Sequence, residues 1–94
     1  MRLRYTRPAA ADVVAILDRL AAQSQQGARR VRDRLRDIEQ ILAQFPKAGQ
    51  PTRLSWLRRF ALRPYPYIAF YEATAAWRLC VMAGLKPAIN RVVR

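Results

Sequence analysis

A chain of 94 residues with 52% apolar content suits one small folded domain and excludes a chain that is disordered by composition. Eighteen Lys+Arg against 6 Asp+Glu leave a formal charge of +12, a field that draws in polyanions and acidic proteins. There is no histidine, which excludes Ser-His and Cys-His nucleophile pairs, histidine metal sites and the commonest general base.

Residues Met1 to Thr6 alternate, with Leu3 and Tyr5 on one side and Arg2 and Arg4 on the other, the period of a half-buried strand. Pro8 suits the first turn of a helix, where its missing N–H costs nothing, with Thr6 or Arg7 near the cap. From Pro8 to about Gln25, Val13, Ile16, Leu17 and Leu20 recur at helical spacing. Asp12 stands near the start, on the favourable end of the helix dipole. Gln23 to Gly27 reads as a short link to a second helix, Ala28 to Phe45. Its apolar stripe is Val31, Leu35, Ile38 and Leu42, widened by Ile41 and Phe45. The other face carries an arginine run that includes Arg29, Arg30, Arg32, Arg34 and Arg36, expected as a solvated face, with Arg29 and Asp33 spaced to pair.

Pro46 to Pro51 stops the helix and turns the chain. The period then changes to that of strands. Phe60 and Leu62 face one way, Ala61 and Arg63 the other, with a slip or late strand start at Trp56 and Leu57. Pro64 and Pro66 bracket Tyr65, which predicts a stiff, extended corner. Tyr67 to Ala73 reads as a strand, Thr74 to Ala76 as a tight turn, and Trp77 to Ala83 as a strand apolar on both faces, hence central or covered on both sides. Gly84 to Pro87 breaks the pattern, and Ala88 to Arg94 adds at most a turn or two of helix. The expected class is α+β in the order β-α-α-β-β-β. An antiparallel sheet packs against the N-terminal helical hairpin in a single domain spanning 1–94.

Cys80, the lone cysteine, forms no intramolecular disulfide and lies in an apolar run that favours burial. No carboxylates cluster at ligand spacing, so no metal and no cofactor is expected. The first residues lack the apolar core of a signal peptide and no run reaches membrane-spanning length, so the expected location is the cytoplasm, with no membrane partner.

The residues that remain for chemistry or binding are Arg58, Arg59, Arg63, Tyr65, Tyr67, Tyr71, Arg78, Lys86 and Arg91. By strand parity Arg59 and Arg63 share a face, with Arg58 on the other; Tyr67 and Tyr71 share a face, with Ile68 and Phe70 opposite. Such a surface binds nucleic acid by charge and stacking, or an acidic protein segment with apolar anchors between the charges. Tyr67 and Tyr71 also suit half-core positions, and Arg58 a pairing with Glu72.

The element order, the P-x-x-G loop at Pro46 to Gly49, L-R-R-F at Leu57 to Phe60, Y-P-Y-I-A-F-Y at Tyr65 to Tyr71 and V-M-A-G-L-K at Val81 to Lys86 resemble the ParE/RelE toxin superfamily. The resemblance covers nearly the whole chain. It implies the toxin half of a type II toxin–antitoxin pair, neutralised by a small antitoxin with a flexible acidic tail. Two branches follow from it. RelE-like members cleave messenger RNA on the ribosome with basic residues and usually a C-terminal tyrosine or histidine. ParE-like members are associated with poisoning DNA gyrase. In many relatives the last strand ends His-Gly-x-Arg; here Ala83 stands at the histidine, Lys86 at the arginine, and no tyrosine follows. Arg59, Arg63 and Lys86 are the residues left to a nuclease, and arginine transfers protons poorly at neutral pH. The ParE-like reading is therefore favoured. Its gyrase- and antitoxin-binding residues would be Arg58, Arg59, Arg63, Tyr65, Tyr71, Arg78, Lys86 and Arg91. An mRNA endoribonuclease and a binding-only member of the fold are the alternatives.

Overall fold

A computed structural model describes residues 2–74 and 79–87. Strand β1 is Arg2–Tyr5, followed by α1 (Arg7–Gln23), α2 (Gln25–Gln44), β2 (Gln50–Pro51), β3 (Arg58–Ala61), β4 (Tyr67–Thr74) and β5 (Leu79–Pro87). The sheet order is β1-β5-β4-β3-β2, and the class is α+β as expected.

Thr6 caps α1: its hydroxyl accepts from the Ala9 amide at 3.1 Å, and Pro8 sits in the first turn. The link between the helices is shorter than the expected Gln23 to Gly27. Ser24 alone makes it, because its extended backbone both ends α1 and caps α2, with Oγ accepting from the Gly27 amide at 3.0 Å. Val31, Leu35, Ile38 and Leu42 are buried, as their spacing predicted. Phe45 does not widen that stripe. It is the residue that ends α2, turned out of the helical phase and 62% exposed.

The α2 stripe and Ile16 of α1 meet Leu62, Ala69, Tyr71, Met82 and Leu85 in one core. Helical hairpin and sheet therefore share a single apolar interior, with Leu3 and Tyr5 of β1 packed against it. A fully buried aliphatic side chain is worth about 1.5–3 kcal/mol, so this shared interior holds the two layers together.

The sheet is mixed rather than wholly antiparallel. β4 pairs antiparallel with β3 and β5, but β1 runs parallel to β5, with Leu3 opposite Cys80 and Tyr5 opposite Met82. The short β2 explains this. Pairing antiparallel with Arg58 and Arg59, it adds one chain reversal within the stretch expected to be only a loop, so β1 and β5 end up pointing the same way. β5 lies between β1 and β4, as its two apolar faces predicted.

Four other expectations are corrected. β3 starts at Arg58 and ends at Ala61, so the slip at Trp56 is a late start and Arg63 lies beyond the strand. The proline corner is a tight turn, not an extended one: the Tyr65 amide donates to the Leu62 carbonyl at 2.9 Å around a cis Arg63–Pro64 bond. Gly84 does not break β5, which continues to Pro87. The ladder absorbs the irregularity as a bulge: Phe70 pairs with Gly84 but Tyr71 with Met82, which leaves Ala83 as the extra residue. Finally, the α2 ion pair is Arg34 with Asp37 at 4.0 Å; Arg29 and Asp33 form none. The expected turn at Thr74 to Ala76 and the helix after Ala88 involve residues outside those described, as do Arg78 and Arg91.

Candidate partner-binding surface and the loop that frames it

The P-x-x-G loop is built around one side chain. Tyr71 is wholly buried on the helix side of β4, and its hydroxyl donates to the Pro46 carbonyl and accepts from the Gly49 amide, both at 2.8 Å. Arg58, directly opposite Tyr71 on β3, donates to the Gly49 carbonyl at 2.7 Å. The loop's polar backbone is thus satisfied from the sheet. Arg58 therefore serves the loop rather than Glu72. Tyr71, expected on the partner-binding surface, presents no surface at all: strand alternation points it at the helices.

The other strand parity faces outward. Arg59 and Ala61 lie opposite Phe70 and Ile68. Ile68 and Phe70 in turn lie opposite Lys86 and Gly84. Arg59 and Arg63 are exposed, and both line an open groove of about 590 Å³ with Tyr65, Tyr67 and Ile68. The structure therefore brings together Arg59, Arg63 and Tyr65 of the expected residues. It adds Arg34, whose Nε donates to the Arg63 carbonyl at 2.8 Å and ties α2 to the turn. The sequence signal for Arg34 was its phase. It stands one heptad before Ile41, on the flank of the apolar stripe rather than in the middle of the solvated face.

Lys86 stands apart from this groove. Its Nζ lies 3.2 Å from Asp12 of α1, and the same carboxylate accepts from the Leu85 amide at 3.1 Å. β1 pairs β5 only from Leu79 to Met82, so Asp12 covers the edge of β5 where β1 has ended. That is the role of Asp12; it lies beyond the first turn of α1, where the sequence had placed it for the helix dipole. On β1, which pairs with that same edge of β5, Tyr5 donates to Glu39 of α2. Burial first, then the hydrogen bond to Glu39 and its charge, pushes the Tyr5 phenol well above its ordinary value.

A family model described as the ParE toxin of the type II toxin–antitoxin system parDE matches residues 3–81. The chain belongs to the ParE toxin family. The ParE-like branch of the resemblance is thereby the supported one. The toxin's fold is also that of a solved structure titled "Chromosomal ParDE TA system from P. aeruginosa". The two share 23% identity with a TM-score of 0.79, over 93% of this chain and 95% of that one. No curated protein sequence matches the toxin. Among its described residues no helix is long and apolar enough to cross a membrane, and no three metal-ligating side chains cluster.

Proposed function

We propose that this ParE-family toxin inhibits DNA gyrase by binding, and that a cognate antitoxin with an acidic tail neutralises it in the cytoplasm. The observation that carries the reading is the match of the ParE toxin family model over residues 3–81. Histidine is missing from the chain, Ala83 occupies a bulge, and Lys86 is held by Asp12, so inhibition by contact needs fewer assumptions than strand cleavage. The formal charge of +12 favours encounter with both an acidic tail and a gyrase–DNA complex. Arg59, Arg63 and Tyr65 are the proposed contacts in the groove, with Lys86, Arg78 and Arg91 toward the C-terminal side.

The test is a supercoiling assay with purified gyrase and the full toxin. Inhibition that an equimolar antitoxin reverses supports the reading. Unchanged supercoiling together with cleavage of ribosome-bound transcripts would replace it with the nuclease. Unchanged supercoiling, intact transcripts and normal growth on expression would leave a member that only binds its antitoxin. Replacing Lys86 and Arg91 together by Ala is expected to reduce toxicity with the fold retained.

A further inference from the structure

Among the described residues the exposed large apolar side chains are Val14, Phe45, Leu54 and Trp56, and the last three crowd into one stretch around β2. Exposed apolar residues scattered singly are ordinary, whereas a group of them marks an interaction site. Leu54 and Trp56, 48% and 53% exposed, share the turn between β2 and β3. That turn is fixed. The Leu57 amide donates to the Leu54 carbonyl at 3.0 Å. The Thr52 hydroxyl accepts from the Leu54 amide at 3.1 Å and donates to the Leu57 carbonyl at 2.9 Å. Arg58 pairs with Pro51 at the base of the turn and donates to the Gly49 carbonyl, in the loop that follows Phe45. From Gln40 to Tyr71 the chain has no carboxylate, but it has Lys47, Arg53, Arg58, Arg59 and Arg63.

We propose that the β2–β3 turn is a knob that enters an apolar cleft with an acidic rim on a folded partner protein, with Trp56 and Leu54 as anchors and the exposed Arg53 at the rim. The proposal rests on the gyrase reading and deepens it: the cleft belongs to gyrase. Tryptophan and arginine carry much of the binding energy of protein interfaces once a pocket takes them out of water. A turn that is already fixed loses little freedom on docking. A stretch without carboxylates complements an acidic rim. A flexible antitoxin tail fits less well, because a protruding turn needs a preformed cleft and a tail has none. A lipid surface has no shape for a fixed turn to match.

The experiment uses the full toxin, purified gyrase and purified antitoxin. Gyrase binding is followed by fluorescence anisotropy of labelled toxin, and inhibition by supercoiling. Trp56→Ala is expected to weaken both at least about 10-fold, and Leu54→Ser about 5-fold. Arg53→Glu is expected to weaken both about 3-fold, and less at high salt. The control Val14→Ala, at the exposed apolar residue of α1, is expected to change them less than about 2-fold. Affinity for the antitoxin is expected to stay within about 2-fold throughout. Should Trp56→Ala lower stability in urea unfolding, Leu54→Ser and Arg53→Glu carry the test. Losses as large for Val14→Ala would mean unspecific adhesion and overturn the proposal. Antitoxin affinity falling as far as gyrase affinity would give the turn to the antitoxin instead. Sedimentation with phosphatidylglycerol vesicles that Trp56→Ala abolishes, at unchanged gyrase binding, would give it to a membrane. A wild-type toxin that neither binds nor inhibits gyrase removes the gyrase reading and the knob with it. Wild-type inhibition that survives Trp56→Ala and Leu54→Ser removes the knob alone.

Discussion

The Tyr71 hydroxyl lies 2.8 Å from the Gly49 amide, across a gap in which a side chain at position 49 has no room. A Cβ there would stand 2.5 Å from the same hydroxyl and 2.6 Å from the Arg59 carbonyl. The pairing explains why the loop after α2 needs a glycine three residues after its proline. The backbone passes directly over a buried phenol, and Arg58 holds it from the other side.

Tyr71→Phe keeps the ring and removes the hydroxyl, leaving the Gly49 amide and Pro46 carbonyl short of a partner. A loss of about 1–3 kcal/mol is expected in urea unfolding. Gly49→Ala is expected to cost at least as much, about 1–3 kcal/mol, through overpacking. The double variant should recover only part of that, because the Arg59 carbonyl still blocks the methyl. Full recovery would show that the carbonyl contact yields easily.

Asp12 and Lys86 test the edge of β5. Asp12→Ala removes the acceptor of the Leu85 amide as well as the ion pair, and about 1–2 kcal/mol of stability should be lost. Lys86→Met removes only the pair, whose lysine is 58% exposed, and should cost less than about 1 kcal/mol. Equal costs would mean that the amide contact contributes nothing.

Tyr5 gives a pH dependence. Its phenol is held protonated above the ordinary value of about 10, so the folded state keeps a proton that the unfolded chain gives up. The contribution is complete below that value and declines as the pH rises past it. Chemical unfolding at pH 8 and pH 11 should show the wild type losing more stability between the two than Tyr5→Phe does. Parallel losses would assign the alkaline decline to other groups.

Ser24 both ends α1 and caps α2, so Ser24→Ala should lower stability by about 1 kcal/mol, and Ser24→Asp should restore most of it. Leu35→Ala, within the α2 stripe, should cost about 2–5 kcal/mol as a core truncation. Loss of toxicity in the Leu35 variant would report on folding, whereas loss in Arg59→Ala at unchanged stability would report on the groove.

Local periodicity was enough for the helices, since Val31, Leu35, Ile38 and Leu42 mark one face at any fold. It was enough for the alternation of β1 and β4 and for the parity that separates Arg58 from Arg59. It failed where a residue answers to a distant one. Phe45 has the right spacing for the core, but the helix ends there and turns it out. Gly84 looks like a breaker, but an eight-residue partner strand carries β5 past it. Tyr71 has the chemistry of a binding residue and is spent on the loop 22 positions earlier.

What the sequence by itself determined was the α+β class, the order of the main elements, the apolar faces and, through its motifs, the toxin superfamily. Those follow from spacing along the chain and from residue types. Only the tertiary structure decided that β1 runs parallel to β5, that Asp12 covers the free edge of β5, and that Arg34 joins Arg59 and Arg63 at one groove while Tyr71 does not. Each of these is a meeting of residues far apart in sequence, fixed by how helices and sheet close over a shared core, and no local pattern carries that distance.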